Sequence, residues 1–393
     1  MGDMKITEIE TILLSYKYKE DEVWKCPGWT SLQRNAMLVR IWTDKGIYGI
    51  GEIGEATSIP HGVEQIVEER FKPMLLGQDP EQIEYLWRKM YVRTQHWGTS
   101  ALAVAIISGL ETALWDLLGK RLNKPVYELL GGPVRDKIRV YASAGMSKTN
   151  EDLAKEVAHY KGLGYSAVKM RIGNPDYQSD IEAVRMAREA LGDQVDLMAD
   201  AGMCYVDNAW DFNTVLKVTR ELESNRLYWL EEPFVANNME DYIRLTAMTD
   251  IPIAAGEHFY TKYEFKDWIA KRAVNIVQPD VTRSGGILEC KKIAAVAEAF
   301  HMRCAPHIFT SGVSLMANFH FMMSTPNIQI MEYDRTPNPL RDELLVEPLR
   351  YEDGYVHLPR RQPGLGIDLT DEVRRKFAFI PGDPNLKPEF ECL

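Results

Sequence analysis

Eight short apolar runs, each divided from the next by a helical stretch and ending 23 to 31 residues after the last, predict an α/β fold closed as a (β/α)8 barrel. Two further observations sharpen the expectation. Seven of the eight runs close on an ionisable residue, and such barrels gather their chemistry at the carboxyl ends of the strands. The residues before about 130 keep a different rhythm, strands and then helices, which predicts an α+β region ahead of the barrel.

The elements follow in order. "MKITEIETILLSY" alternates and reads as a first strand, and "NAMLVRIWTDKGIYGIGEI" holds two more around the turn "TDKG". "KYKEDEVWKCPGWTS" between them reads as a loop, as does "GEATSIPHG" after Ile53. Helical patterns follow in "GVEQIVEERFKPMLLG", "DPEQIEYLWRKMYVRT" and "SALAVAIISGLETALWDLLGKRLN". The barrel runs are "IRVYAS", "SAVKM", "VDLMAD", "RLYWLEEP", "IPIAAGE", "VNIVQPD", "MRCAPH" and "IQIMEY", ending near Ser143, Lys169, Asp200, Glu231, Glu257, Asp280, His307 and Glu332. A Pro/Gly-rich tail, "HLPRRQPGLGIDLTDEVRRKFAFIPGD", is expected to fold back on the first region. The resulting division is residues 1–130, 131–345 and 346–393.

Composition narrows the function. The chain has 393 residues and a net charge of -11, which argues against nucleic acid or an anionic membrane as the main partner. Cys26, Cys204, Cys290, Cys304 and Cys392 are scattered, with no CxxC pair. They suggest neither a disulfide framework nor a zinc site, and a reducing compartment, the cytoplasm, is expected. No apolar run reads as a membrane span, and the charged, alternating N-terminus reads as a strand rather than a signal peptide.

A charge at one strand end is adequately explained as a solvated loop residue. Seven in succession are not. Asp200, Glu231 and Glu257 end the third, fourth and fifth runs, so neighbouring strands would bring three carboxylates together. Such a group repels itself unless a cation sits within it, and all-oxygen ligands select a hard cation, Mg2+ first and Mn2+ also compatible. Glu232 would support the ligands from behind. In "SAVKMRIGNPDYQSD", Lys169 and Arg171 stand at i and i+2, which points both cations the same way.

In these motifs the chain resembles the enolase superfamily, specifically its mandelate racemase subgroup. "LMADAG", "WLEEP" and "AAGEH" are similar to the family's three metal-ligand motifs. "QPDVTRSGG" and "CAPH" are similar to its Asp-His dyad, "IMEY" to its eighth-strand glutamate, and "PGLG" to its tail loop. The resemblance spans essentially the whole chain. It implies a modified (β/α)8 TIM-like barrel under an α+β capping domain, with two loops, here Tyr16–Ser31 and Glu52–Gly62, closing on the substrate. It also implies a homo-oligomer, and removal of a proton alpha to a carboxylate to form an enediolate. Two departures stand out: Gly202 where the family often has Asn, and Arg171 where the subgroup usually has a second lysine.

Within that frame His307 is the expected base, with Asp280 holding its other ring nitrogen. Arginine is a poor proton acceptor and a good fork for carboxylate oxygens. Lys169 and Arg171 therefore read as a clamp on the substrate carboxylate, or with Lys169 as a second base or an acid for the leaving group. Glu332, if protonated, would donate a hydrogen bond to the enediolate. Trp24, Lys25, Trp29, His61, His258 and Arg34 are candidates for the substrate's far end. The favoured reading is a hydro-lyase: Mg2+-dependent dehydration of an aldonate or aldarate to a 2-keto-3-deoxy acid, as in the acid-sugar dehydratases that these departures and "RTPNPLRDEL" resemble. A racemase or epimerase of a 2-hydroxy acid is the alternative, and a barrel kept for binding alone is a third.

Overall fold

A computed structural model describes residues 4–386 apart from 55 and 147, so Cys392 lies outside the described residues. The N-terminal region contains β1 (Ile6–Lys17), β2 (Trp24–Cys26), β3 (Trp29–Ser31), β4 (Gln33–Thr43) and β5 (Tyr48–Glu52). β1, β4 and β5 form one antiparallel sheet in that order. Alternate residues of β4 enter different cores: Met37, Val39 and Ile41 join the capping helices, while Ala36 and Leu38 join the core shared with the barrel. Burial on both faces explains why "AMLV" is continuously apolar.

The helix Ala101–Leu122 crosses this sheet closely. A Cβ on Gly49 would stand 2.0 Å from the Ala113 carbonyl oxygen, and one on Gly51 1.9 Å from that of Gly109. By length and composition this helix is apolar enough to cross a membrane, contrary to the expectation that no run is. Its most apolar window is 83% buried inside the protein, the pattern of a core helix.

The barrel strands are β6 (Lys137–Ser143), β7 (Ala167–Arg171), β8 (Asp196–Asp200), β9 (Trp229–Glu231), β10 (Ile253–Ala255), β11 (Ile276–Val277), β12 (Arg303–Cys304) and β13 (Ile330–Asp334). β6 to β12 pair in sequence, all parallel. A parallel bridge from Cys304 to Ile328 and the β13–β6 ladder close the ring. The interior is plugged by Tyr141, Ala167, Met198, Trp229, Ala254, Ile276, Ala305 and Ile330, one from each repeat. β10, β11 and β12 are shorter than their apolar runs, and pairing stops two or three residues before Glu257, Asp280 and His307.

The capping region is tied down by carboxylates at barrel helix N-termini. Glu52 accepts from the Ser311 hydroxyl at 2.6 Å and the Ser314 N–H at 2.9 Å, where helix Gly312–Met323 begins. Glu111 accepts from the Ile287 and Leu288 N–H groups at the start of helix Ile287–Ala299. After the barrel, β14 (Tyr351–Glu352) and β15 (Tyr355–His357) form a hairpin beside the first half of β6. The tail then returns to β1, with the Ser15 N–H donating to the Phe377 carbonyl at 2.9 Å. It ends in β16 (Asn385–Leu386), which pairs with β3. The stretch read as a loop, "KYKEDEVWKCPGWTS", therefore contributes two strands, β2 and β3, to a small three-stranded sheet of order β16-β3-β2. Its third strand comes from the far end of the chain, which no local pattern reveals.

Candidate active site

Strand parity builds the site. On one face of a strand, residues repeat every second position. Two positions after the interior plug residues Ala167, Met198, Trp229, Ala305 and Ile330 come Lys169, Asp200, Glu231, His307 and Glu332. Each therefore points into the barrel one layer above the plug. Arg171 is one layer higher again. Glu257 breaks the parity, standing three residues after Ala254. Gly256 makes the correction: its φ is 145°, and a Cβ there would meet the Gln278 amide nitrogen at 2.7 Å, so only glycine fits.

The structure brings all three predicted ligands together with both cations. Lys169 Nζ lies 2.8 Å from Glu231 Oε1, 3.0 Å from Glu332 Oε1 and 3.4 Å from Asp200 Oδ2. Arg171 Nη1 lies 2.7 Å from Asp200 Oδ1. The Trp229 indole donates to Glu231 Oε2 at 2.9 Å. Burial pushes Asp200 up to about 7; Arg171 opposes this and Glu231 reinforces it. Burial works against the Lys169 ammonium, yet Glu231, Glu332 and the groups around them hold its pKa well above the usual lysine range.

His307 Nδ1 is 2.8 Å from Asp280 Oδ2, and its Nε2 is 3.0 Å from Glu257 Oε2. The Thr282 N–H and hydroxyl both donate to Asp280 Oδ1 at 2.8 Å, fixing the carboxylate. Burial disfavours the charged ring, but Glu257 and Asp280 outweigh it and raise His307 to about 9. Glu332 differs from expectation. Burial alone would protonate it, but Lys169, His307, the Ser143 hydroxyl and the Ile308 N–H keep it below its ordinary value. Its oxygens face Nζ of Lys169 and the Ile308 N–H, donating at 2.8 Å, so it stands as an acceptor and not as a donor.

A cavity of about 770 Å3 opens over these groups, lined by Lys169, Arg171, Asp200, Glu257, His307 and Glu332 below and by Trp24 and Trp29 of the β2–β3 hairpin above. Arg34 also lines it, but its guanidinium is already committed to Asp334 at 3.2 Å, the Thr336 and Tyr18 hydroxyls and the Phe309 carbonyl. Three candidates for the substrate's far end do not reach the cavity lining. Lys25 alternates outward between Trp24 and Cys26. His61 is exposed and turned to Glu64 at 2.8 Å. His258 turns to Glu232, 2.9 Å from Nδ1, behind Glu257. There it converges with Cys204 and Glu232, the three ligand atoms all within 4.8 Å, a cluster the cysteine spacing gave no sign of.

Sequence reasoning missed Tyr205, Arg283 and the tail. The Tyr205 hydroxyl donates to Glu257 Oε1, and its ring meets Trp29 edge-on at 4.6 Å, linking lid and carboxylate cluster. Arg283 Nη1 is 3.7 Å from Glu257 Oε1; its place three residues after Asp280 was a legible signal. Asp383, Pro384 and Asn385 line the cavity from the chain's last described residues, with nothing in their composition to announce it.

Fold and site together define an enzyme built as a (β/α)8 barrel, with a buried carboxylate cluster and a His-Asp pair beneath an α+β lid. The chain belongs to the enolase superfamily, in its mandelate racemase subgroup. Residues 22–131 match the mandelate racemase / muconate lactonizing enzyme N-terminal domain, and residues 152–373 match the enolase C-terminal domain-like family. It is 36% identical to an arabinonate dehydratase of Saccharolobus solfataricus over 95% of this chain and 99% of that one. It is 32% identical to a D-galactarolactone cycloisomerase of Agrobacterium fabrum over 96% and 99%. An enolase superfamily member from Polaromonas sp. JS666 superposes with a TM-score of 0.89 at 34% identity, covering 96% and 99%. A racemase from Streptomyces coelicolor with bound magnesium gives 0.84 at 29%, covering 95% and 100%.

Proposed function

We propose that this protein is a hydro-lyase that dehydrates a sugar acid to a 2-keto-3-deoxy acid with a divalent metal ion. The observation that carries the reading is the buried His307–Asp280 pair standing over a carboxylate cluster that also holds Lys169 and Arg171. The similarity to an enzyme named arabinonate dehydratase supports it.

Asp200, Glu231 and Glu257 would hold the metal. They offer only oxygen donors and all three are buried in one site, a donor set that fits Mg2+, or Mn2+. When bound, such an ion offsets the charge that develops on the enediolate oxygens.

The chain's own residues supply the rest. Lys169 and Arg171 orient the substrate carboxylate. His307 Nε2 takes the alpha proton, while Asp280 accepts from the Nδ1 proton, sets the tautomer and steadies the imidazolium. The imidazolium then returns that proton to the departing beta hydroxyl. The alpha C–H and beta C–O bonds break, water leaves, and the enol tautomerises to the keto acid. One base suffices, because Lys169 is held by three carboxylates within 3.4 Å.

The test is a screen of aldonic and aldaric acids for 2-keto acid formation with Mg2+, with and without EDTA. Product abolished by EDTA is expected. Deuterium entering the alpha carbon in D2O with no keto acid formed would replace dehydration by racemisation.

A further inference from the structure

The cavity is charged differently at its two ends. Its buried lining residues, including Lys169, Glu257, His307 and Glu332, make the floor, while the exposed ones, Ser58, Asp207 and Asp383, make the mouth. Asp207 lies in the connection after β8, two residues beyond Tyr205. Asp383 precedes β16, and its Oδ1 accepts from the Asn385 N–H at 2.9 Å. That turn is anchored to the lid, since the Leu32 N–H donates to the Pro384 carbonyl at 2.8 Å and Asn385 pairs with Ser31.

Neither Asp207 nor Asp383 forms an ion pair with another described residue. The cations among the described lining residues face other acids. Lys169 and Arg171 meet the floor carboxylates, Arg34 meets Asp334, and Arg283 stands beside Glu257 and Asp280. The described lining thus keeps its cations among the buried and half-buried residues and has two carboxylates without an ion pair at the mouth.

We propose that this protein selects aldonates, which carry one carboxylate, over aldarates, which carry one at each end, and that Asp207 and Asp383 are the selecting residues. The inference rests on the sugar-acid dehydratase reading. With C1 on Lys169 and Arg171, the chain of the substrate runs toward the mouth. The terminal hydroxymethyl of an aldonate can donate its one hydroxyl hydrogen to either acid and carries no charge for them to repel. The second carboxylate of an aldarate has no proton to donate and meets like charge, a repulsive element of the kind that sets specificity. Asp383 lies beyond both family-model matches, 22–131 and 152–373, so the selecting group sits on a segment outside the matched frame.

Matched pairs test this: D-galactonate against galactarate, and D-gluconate against D-glucarate, by kcat/KM with Mg2+. Wild-type protein is expected to favour the aldonate of whichever pair it accepts. Asp383→Asn keeps the acceptor for the Asn385 N–H and removes the charge. Because the mouth is wet and screened, each single Asp→Asn change should shift the aldonate-to-aldarate ratio toward the aldarate by up to about fivefold. The pair of changes should shift it about tenfold, and Asp383→Lys further. Added salt should shrink the wild-type preference and leave that of the double variant little changed. A wild type that turns over aldarates as well as aldonates, or a ratio unmoved in all variants and in salt, overturns the inference and leaves the dehydratase reading standing. Turnover of neither class overturns both.

Discussion

Arg171 owes its place to a residue thirty-one positions away. Gly202 has a φ of 53°, and a Cβ there would stand 2.6 Å from Arg171 Nη1. The two departures seen in the sequence, arginine for lysine and glycine for asparagine, are one event in space: the guanidinium fills room that the missing side chain leaves. Gly202→Asn should therefore displace Arg171 from Asp200, although asparagine tolerates that backbone. We expect kcat/KM to fall about tenfold or more in Gly202→Asn and in Arg171→Lys, with the double variant no worse than Arg171→Lys alone. Additive losses in the kinetics would show the two sites to be independent. At the base, His307→Asn should remove dehydration by about 10²–10⁴ while Mg2+ binding by calorimetry persists. Turnover near the wild-type level would take the base role from His307.

At the scale of elements, legibility followed the range of the forces. The apolar runs and their charged ends gave the strand order, because parity and burial act within a few residues. "SAVKM" placed Lys169 on the interior face for that reason, two residues after the plug residue Ala167. The hairpin in "WKCPGWTS" was hidden, since it is completed by β16 more than 350 residues later. Glu257 was singled out and lines the cavity, but the glycine that turns it inward was not, since parity alone predicts the wrong face. The close crossing of helix Ala101–Leu122 over β5 was equally invisible, for glycines at 49, 51 and 109 read locally as weak strand and helix formers. Gly51→Ala should force the helix from the sheet and destabilise the protein by about 1–3 kcal/mol, read as a lowered midpoint in thermal or urea unfolding. An unchanged midpoint would mean the crossing gives way without strain.

For the whole molecule, a buried histidine ties three parts of the chain together. His320, on barrel helix Gly312–Met323, accepts the Tyr127 N–H at Nδ1 (3.1 Å) and donates from Nε2 to the Leu365 carbonyl (3.2 Å). Tyr127 belongs to the segment leading into the barrel and Leu365 to the tail; the bond from Tyr127 requires Nδ1 to be unprotonated, so the two bonds exist together only with the neutral ring. Burial pushes His320 down to about 4, only partly opposed by the Leu365 carbonyl. In the unfolded chain the group titrates near 6.5. Between these values the unfolded state binds the proton and the folded state does not. The contribution is full above about pH 6.5 and is lost as pH falls toward 4, amounting to about 3 kcal/mol in all. His320→Gln, which keeps an acceptor and a donor but cannot titrate, should lower the unfolding midpoint at pH 7.5 and flatten its fall between pH 6.5 and 4.5. Other carboxylates titrate in the same window, so the quantity to compare is the difference between wild type and variant at each pH. If that difference stays constant with pH, His320 does not couple protonation to the joining of barrel, linker and tail.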